Sequence, residues 1–205
     1  MAVTWPHVVE DNFLDKRCFD SLLQFYDQKI EDDKFGISKN KVWLDGSKKI
    51  EGNLSQKFLL QFHNDHTHKL LAVLKKLAPE RIEQIKWLEL NLVWTGKNYK
   101  YRIHEDTLQK LLSVVVYLYP EKNTGTILYS DNLGSDKKEI KWVQNRALIF
   151  AREKGVTWHS YEGNGYSEIF SRKLNLETII QNSRPILLCG EDKKNPSDSI
   201  RDPAG

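Results

Sequence analysis

From Trp87 onward the chain is cut into short apolar runs that favour extended backbone, and this succession constrains the fold more than any other feature. WLELNLVW (Trp87–Trp94) alternates apolar and polar residues, and SVVVYLY (Ser113–Tyr119) is rich in β-branched and aromatic side chains until Pro120 stops it. TGTILYS, KEIKWV, RALIF and KLNLETII follow, separated by polar or glycine-bearing turns. Seven or eight short strands over the last two-thirds of the chain predict a sandwich or barrel.

The first third has a different period. Leu14, Cys18, Phe19, Leu22, Leu23 and Tyr26 recur at three- and four-residue steps, as one buried helix face requires, with Asp15 as the cap. A second helix is expected from a cap near Ser55 to about Leu77, with Leu59, Phe62, His66, Leu70, Val73 and Leu77 as its apolar stripe, and Pro79 ends or restarts it. Between the two, Glu31 to Asn53 reads as loops with one short strand around Val42–Leu44; its lysine-bearing part, Lys34 to Asn53, is a solvated stretch or a lid. The expected fold class is α+β, mainly β, with N-terminal helices packed on one sheet. The expected organisation is one domain over 1–190, helical to residue 85 and β-rich from 86, followed by a polar tail, 191–205.

Composition narrows the partners. Against 31 basic residues stand 28 acidic ones, a net charge of +3, which argues against a dedicated nucleic-acid binder. The two cysteines, Cys18 and Cys189, are too few for a disulfide framework. The N-terminus lacks the pattern of a signal peptide, and the longest apolar run, Leu111 to Leu118, is too short to span a bilayer. The expectation is a cytoplasmic protein acting on a small molecule or peptide, without a membrane partner.

YRIHEDTLQK, Tyr101 to Lys110, carries the first chemical signal. In extended backbone, residues two apart point the same way, so His104 and Asp106 converge while Glu105 faces away. WHS supplies His159 at the end of an expected strand. Two histidines and one carboxylate on one face of a metal leave three coordination positions open, the arrangement of non-haem iron(II) oxygenases. His63, His66 and His68 are read differently: His66 lies on the apolar stripe of the second helix as a core histidine, His63 borders that stripe and His68 faces solvent.

From about residue 88 to 180 these pieces resemble the 2-oxoglutarate- and iron(II)-dependent oxygenase superfamily, in its prolyl-hydroxylase-like branch. They fall in the family's order: Tyr101 before His104-Glu105-Asp106, the strand VVVYLY, GTIL at Gly125–Leu128, NRALIF at Asn145–Phe150, TWHSY with His159, and SRKLNLE with a basic residue. The resemblance implies a double-stranded β-helix, or jelly roll, buttressed by N-terminal helices. It implies Fe(II) on His104, Asp106 and His159, with 2-oxoglutarate and O2 as co-substrates, and a hydroxylase that releases succinate and CO2. Arg172 is implied as the cation for the far carboxylate of the keto acid, a task suited to a planar guanidinium. It stands 13 residues after His159 where the family has about ten, and Leu174 replaces the serine some members place two residues later. Lys173 is the rival cation. Tyr117 matches the tyrosine of the family's strand, and Tyr101 and Trp94 are looser candidates for the pocket wall. The competing readings are a cupin-like metal enzyme that uses no keto acid and a binding module that kept the fold and lost catalysis.

Overall fold

The computed structural model describes residues 5–24, 35–47, 49–96, 98–162 and 173–181; along the last segment it describes the backbone and the side chain of Ile180. Tyr26, Arg172, Cys189 and the polar tail lie outside the described residues.

Local chemistry sets both helices. Helix α1, Lys16–Leu23, starts where the Asp15 carboxylate accepts from Cys18 N at 2.9 Å. Helix α2, Gln56–Leu77, starts where Ser55 Oγ accepts from Phe58 N at 3.2 Å. Each cap satisfies an amide that has no partner inside the helix. Pro79 restarts the chain as a short 3₁₀ helix, Pro79–Gln84. Leu22, Leu59, Phe62, Leu70 and Leu74 bury the helices against one face of a sheet, the face that presents Leu88, Leu90, Leu92, Leu112, Val114, Val116 and Ile149.

Among the described residues that sheet has seven strands. In chain order they are β1 (Val8–Glu10), β2 (Phe35–Trp43), β3 (Ile50–Glu51), β4 (Trp87–Thr95), β6 (Lys110–Tyr119), β9 (Ala147–Phe150) and β11 (Lys173–Gln181). Their spatial order is β1-β9-β6-β11-β4-β2-β3. A second sheet of four strands takes β5 (Lys100–His104), β7 (Thr126–Tyr129), β8 (Lys138–Ile140) and β10 (Trp158–Glu162) in the order β5-β10-β7-β8. The antiparallel pairings nest: β4 with β11, β5 with β10, β6 with β9, β7 with β8. Between the sheets Trp5, Tyr117, Leu128, Ile140, Trp142, Leu148 and Phe150 form a second core. Gly125, just before β7, is required by close approach, because a Cβ there would lie 1.7 Å from the Ile140 carbonyl oxygen.

Three expectations are corrected. The stretch expected as loops, or as the lid from Lys34 to Asn53, holds β2, which pairs with β4 along its whole length from Phe35↔Thr95 to Trp43↔Trp87. Its polar centre, Ser38 to Lys41, hides the strand because the pairing is decided by a partner about fifty residues away. Among the described residues, the first 85 positions therefore carry three strands as well as the helices. Trp94 sits with Leu88, Leu90 and Leu92 in the core on the helix side, and among the described residues others line the cavity beside His104, Asp106 and His159.

His66 is a core histidine. Its ring packs between Phe13 (5.4 Å) and Phe62 (4.6 Å), and its buried Nε2 has no hydrogen-bond partner among the described residues. Burial holds its pKa below the ordinary 6.5. The unfolded chain therefore takes up this proton first, so the stability from neutral His66 is complete above about pH 6.5 and is lost as the pH falls. Urea unfolding at pH 7.5 and 5.5 should show a smaller acid loss in His66→Leu than in the wild type; equal losses would refute the assignment.

Candidate metal centre

The register of the smaller sheet brings two histidines together. His159, the second residue of β10, stands directly opposite His104, the last residue of β5. His159 thus begins a strand, where the sequence placed it at a strand's end; the preceding residues form a turn closed by Val156 N and Thr157 N on the Glu153 carbonyl. The imidazole centroids lie 4.3 Å apart. Asp106 follows β5 in irregular backbone, and a Thr107–Lys110 turn leads into β6. Potential ligand atoms of His104, Asp106 and His159 all lie within 4.8 Å of one another, so the three could hold one metal ion.

Hydrogen bonds select the tautomers. His104 Nδ1 lies 2.9 Å from the Arg102 carbonyl, and His159 Nδ1 lies 2.9 Å from the Thr157 carbonyl. A carbonyl can only accept, so both Nδ1 atoms carry the proton and both Nε2 atoms keep a lone pair for a cation. Burial, aided by His159, lowers the His104 pKa to about 4, and burial lowers that of His159 as well. Burial alone would raise the Asp106 pKa; Lys110, His159 and a hydrogen bond from Ser113 outweigh it and hold the carboxyl well below the usual range. Lys110 Nζ donates to Asp106 Oδ1 at 2.6 Å and Ser113 Oγ donates to Oδ2. Two neutral imidazoles and one carboxylate form a donor set suited to iron and leave coordination positions for other ligands.

A cavity opens from these residues between the sheets, lined by Tyr101, Lys110, Ser113, Val115, Thr126, Phe150, Ser160 and Tyr161. Tyr101 is 45% exposed and its ring lies 4.3 Å from that of His104. Tyr117 is buried behind this cavity: its ring stacks on Trp142 at 4.6 Å and its hydroxyl donates to Thr126 Oγ1 at 2.9 Å. Burial pushes its pKa up to about 12, so it remains a donor at neutral pH. Arg172 lies outside the described residues, and Lys173 opens β11 in register with Thr95.

Sequence reasoning missed Lys110, Ser113 and Tyr161. Tyr161 stands two residues after His159 in the same strand, so alternation could have indicated it. No local signal marks Lys110: its distance of four residues from Asp106 means little in non-helical backbone until the turn folds it back.

The fold and the cluster together define a class: a two-sheet protein with a two-histidine, one-carboxylate group at the edge of its smaller sheet. No protein-family model and no curated protein matches the sequence. Among solved structures, the Pseudomonas putida prolyl-4-hydroxylase is similar with a TM-score of 0.54 at 14% identity, over 86% of this chain and 92% of that one. The full-length Neurospora crassa T7H, solved in complex with alpha-KG, is similar with a TM-score of 0.54 at 8% identity, over 86% of this chain and 74% of that one. The chain therefore shares its fold with these two proteins. Among the described residues no helix is long and apolar enough to cross a membrane.

Proposed function

We propose that this chain is a 2-oxoglutarate-dependent iron(II) dioxygenase, a hydroxylase of a peptidyl residue of proline-like type or of a small metabolite. The observation that carries the reading is the convergence of His104, Asp106 and His159 with both imidazoles held as Nδ1–H tautomers. The nested strand pairing supports a jelly roll, and helices α1 and α2 on the larger sheet support the buttress.

His104 Nε2, the Asp106 carboxylate and His159 Nε2 would hold the iron. Iron and the keto acid, when bound, supply the oxidising chemistry, with succinate and CO2 as products. The protein's own residues do the rest. The Arg102 and Thr157 carbonyls fix the imidazoles, and Ser113 and Lys110 fix the carboxylate. Phe150 and Val115 keep one cavity wall apolar and limit water near the reacting atoms. Arg172 is the proposed cation for the far carboxylate, with Tyr117, acting through its bond to Thr126, and Tyr101 toward the same co-substrate.

The test is aerobic conversion of 2-oxoglutarate to succinate with added Fe(II), screened against peptides and small metabolites. Iron-dependent succinate formation supports the reading. Absence of turnover with every substrate, together with absence of anaerobic 2-oxoglutarate binding to the iron-loaded protein, would sink it.

A further inference from the structure

Glu105 stands between the two ligands of the His-x-Asp segment and is spent on the protein itself. One of its oxygens, Oε2, accepts from Gly155 N at 2.7 Å, and the other, Oε1, faces Arg152 Nη2 at 3.3 Å. Arg152, with its side chain 10% exposed, also donates from Nε to the Asp106 carbonyl at 2.7 Å. Gly155 belongs to the turn whose next residues lead to the Thr157 carbonyl, and that carbonyl holds His159 Nδ1. Gly155 has a φ of +73°, which lets it sit in this turn without strain. Arg81, at the 3₁₀ helix, donates to the Arg152 carbonyl and ties the network to the helical layer.

One connected set of bonds thus joins the segment that carries His104 and Asp106 to the segment that carries His159. These segments lie about fifty residues apart, and their strands β5 and β10 pair at the edge of the smaller sheet with a register irregularity just past His159. Three ligands from two segments bind one ion tightly only if the segments are held in register before the ion arrives. We infer that Glu105 and Arg152 are positioning residues, a clamp that preorganises the two halves of the metal centre and sets its affinity. The inference rests on the metal-centre reading given above.

Co(II) titration of the full chain, followed by visible absorption, tests it with a readout separate from turnover. Glu105→Gln keeps the side-chain shape and leaves one acceptor for two donors, so only one partner can be served. Arg152→Lys keeps the charge and loses the fork that spans the Asp106 carbonyl and Glu105. Each variant should weaken Co(II) binding by about tenfold or more and alter the ligand-field bands. The double variant should be little worse than the single ones, because both break the same link. Wild-type affinity and wild-type bands in Glu105→Gln would overturn the clamp, and this half-buried position decides the matter if Arg152→Lys fails to fold. Failure of the wild type to bind one Co(II) would instead overturn the metal-centre reading.

Discussion

Asp106→Ala is expected to abolish ferrous-ion binding and, with it, any turnover of 2-oxoglutarate. The carboxylate is the one anionic donor of the cluster, and it is buried. Its removal leaves two neutral imidazoles beside the Lys110 ammonium, a site with net positive charge that repels a dication. Outer partners of metal ligands already cost up to about a hundredfold in affinity, and loss of a ligand should cost at least that. Lys110 also loses its counter-charge and Ser113 its acceptor, but Lys110 keeps 23% of its side chain exposed and can turn to water. The stability loss should therefore stay at ~1–2 kcal/mol, and the variant should remain folded. Circular dichroism establishes the fold and Co(II) titration reads the affinity. A folded Asp106→Ala protein that binds Co(II) like the wild type would exclude Asp106 from the centre.

Asn40→Leu is expected to remove about 3 kcal/mol of folding stability, although leucine has nearly the same size. Asn40 is 1% exposed in the middle of β2. Its Oδ1 accepts from Asn53 N and Leu54 N, each at 2.8 Å, and its Nδ2 donates to the Leu90 carbonyl at 2.9 Å. Leucine leaves the two amides without their acceptor, and a buried unpaired amide costs ~1–3 kcal/mol. The chain has no room to move away, because Gly52 packs so closely that a Cβ there would lie 2.7 Å from Asn40 Cα. Urea unfolding measures the loss. A loss below about 1 kcal/mol would show that water or a backbone shift replaces the side chain.

The same residue explains why part of the fold was illegible. A polar run such as Ser38-Lys39-Asn40-Lys41 has the composition of a loop. It becomes a strand because β4 offers it a complete ladder and Asn40 satisfies a neighbouring turn. Neither condition is written nearby. Trp94 failed for a related reason. Both faces of β4 are covered, so nearly all its later residues are buried and composition no longer distinguishes the helix side from the cavity side. Where one side met water or a helix, as in α1 and α2, the period was readable and the caps at Asp15 and Ser55 marked the starts.

The candidate site divides in the same way. His104, Asp106 and His159 were legible because few side chains can bind a metal and two of the three are close in sequence. Lys110, Ser113 and the Glu105–Arg152 contact were not, because their roles depend on which backbone group or carboxylate faces them after folding.

By itself, then, the sequence determined the two helices with their caps, most of the strands after residue 86, and the three candidate ligands. Local periodicity and rare side-chain chemistry are properties of neighbours along the chain. Only the tertiary structure decided that β2 completes the larger sheet, that Trp94 belongs to the helix side, and that Arg152 reaches Asp106 across 46 residues. Those outcomes depend on hydrogen-bond partners brought together by folding, and a buried donor or acceptor takes whichever partner the packed chain presents.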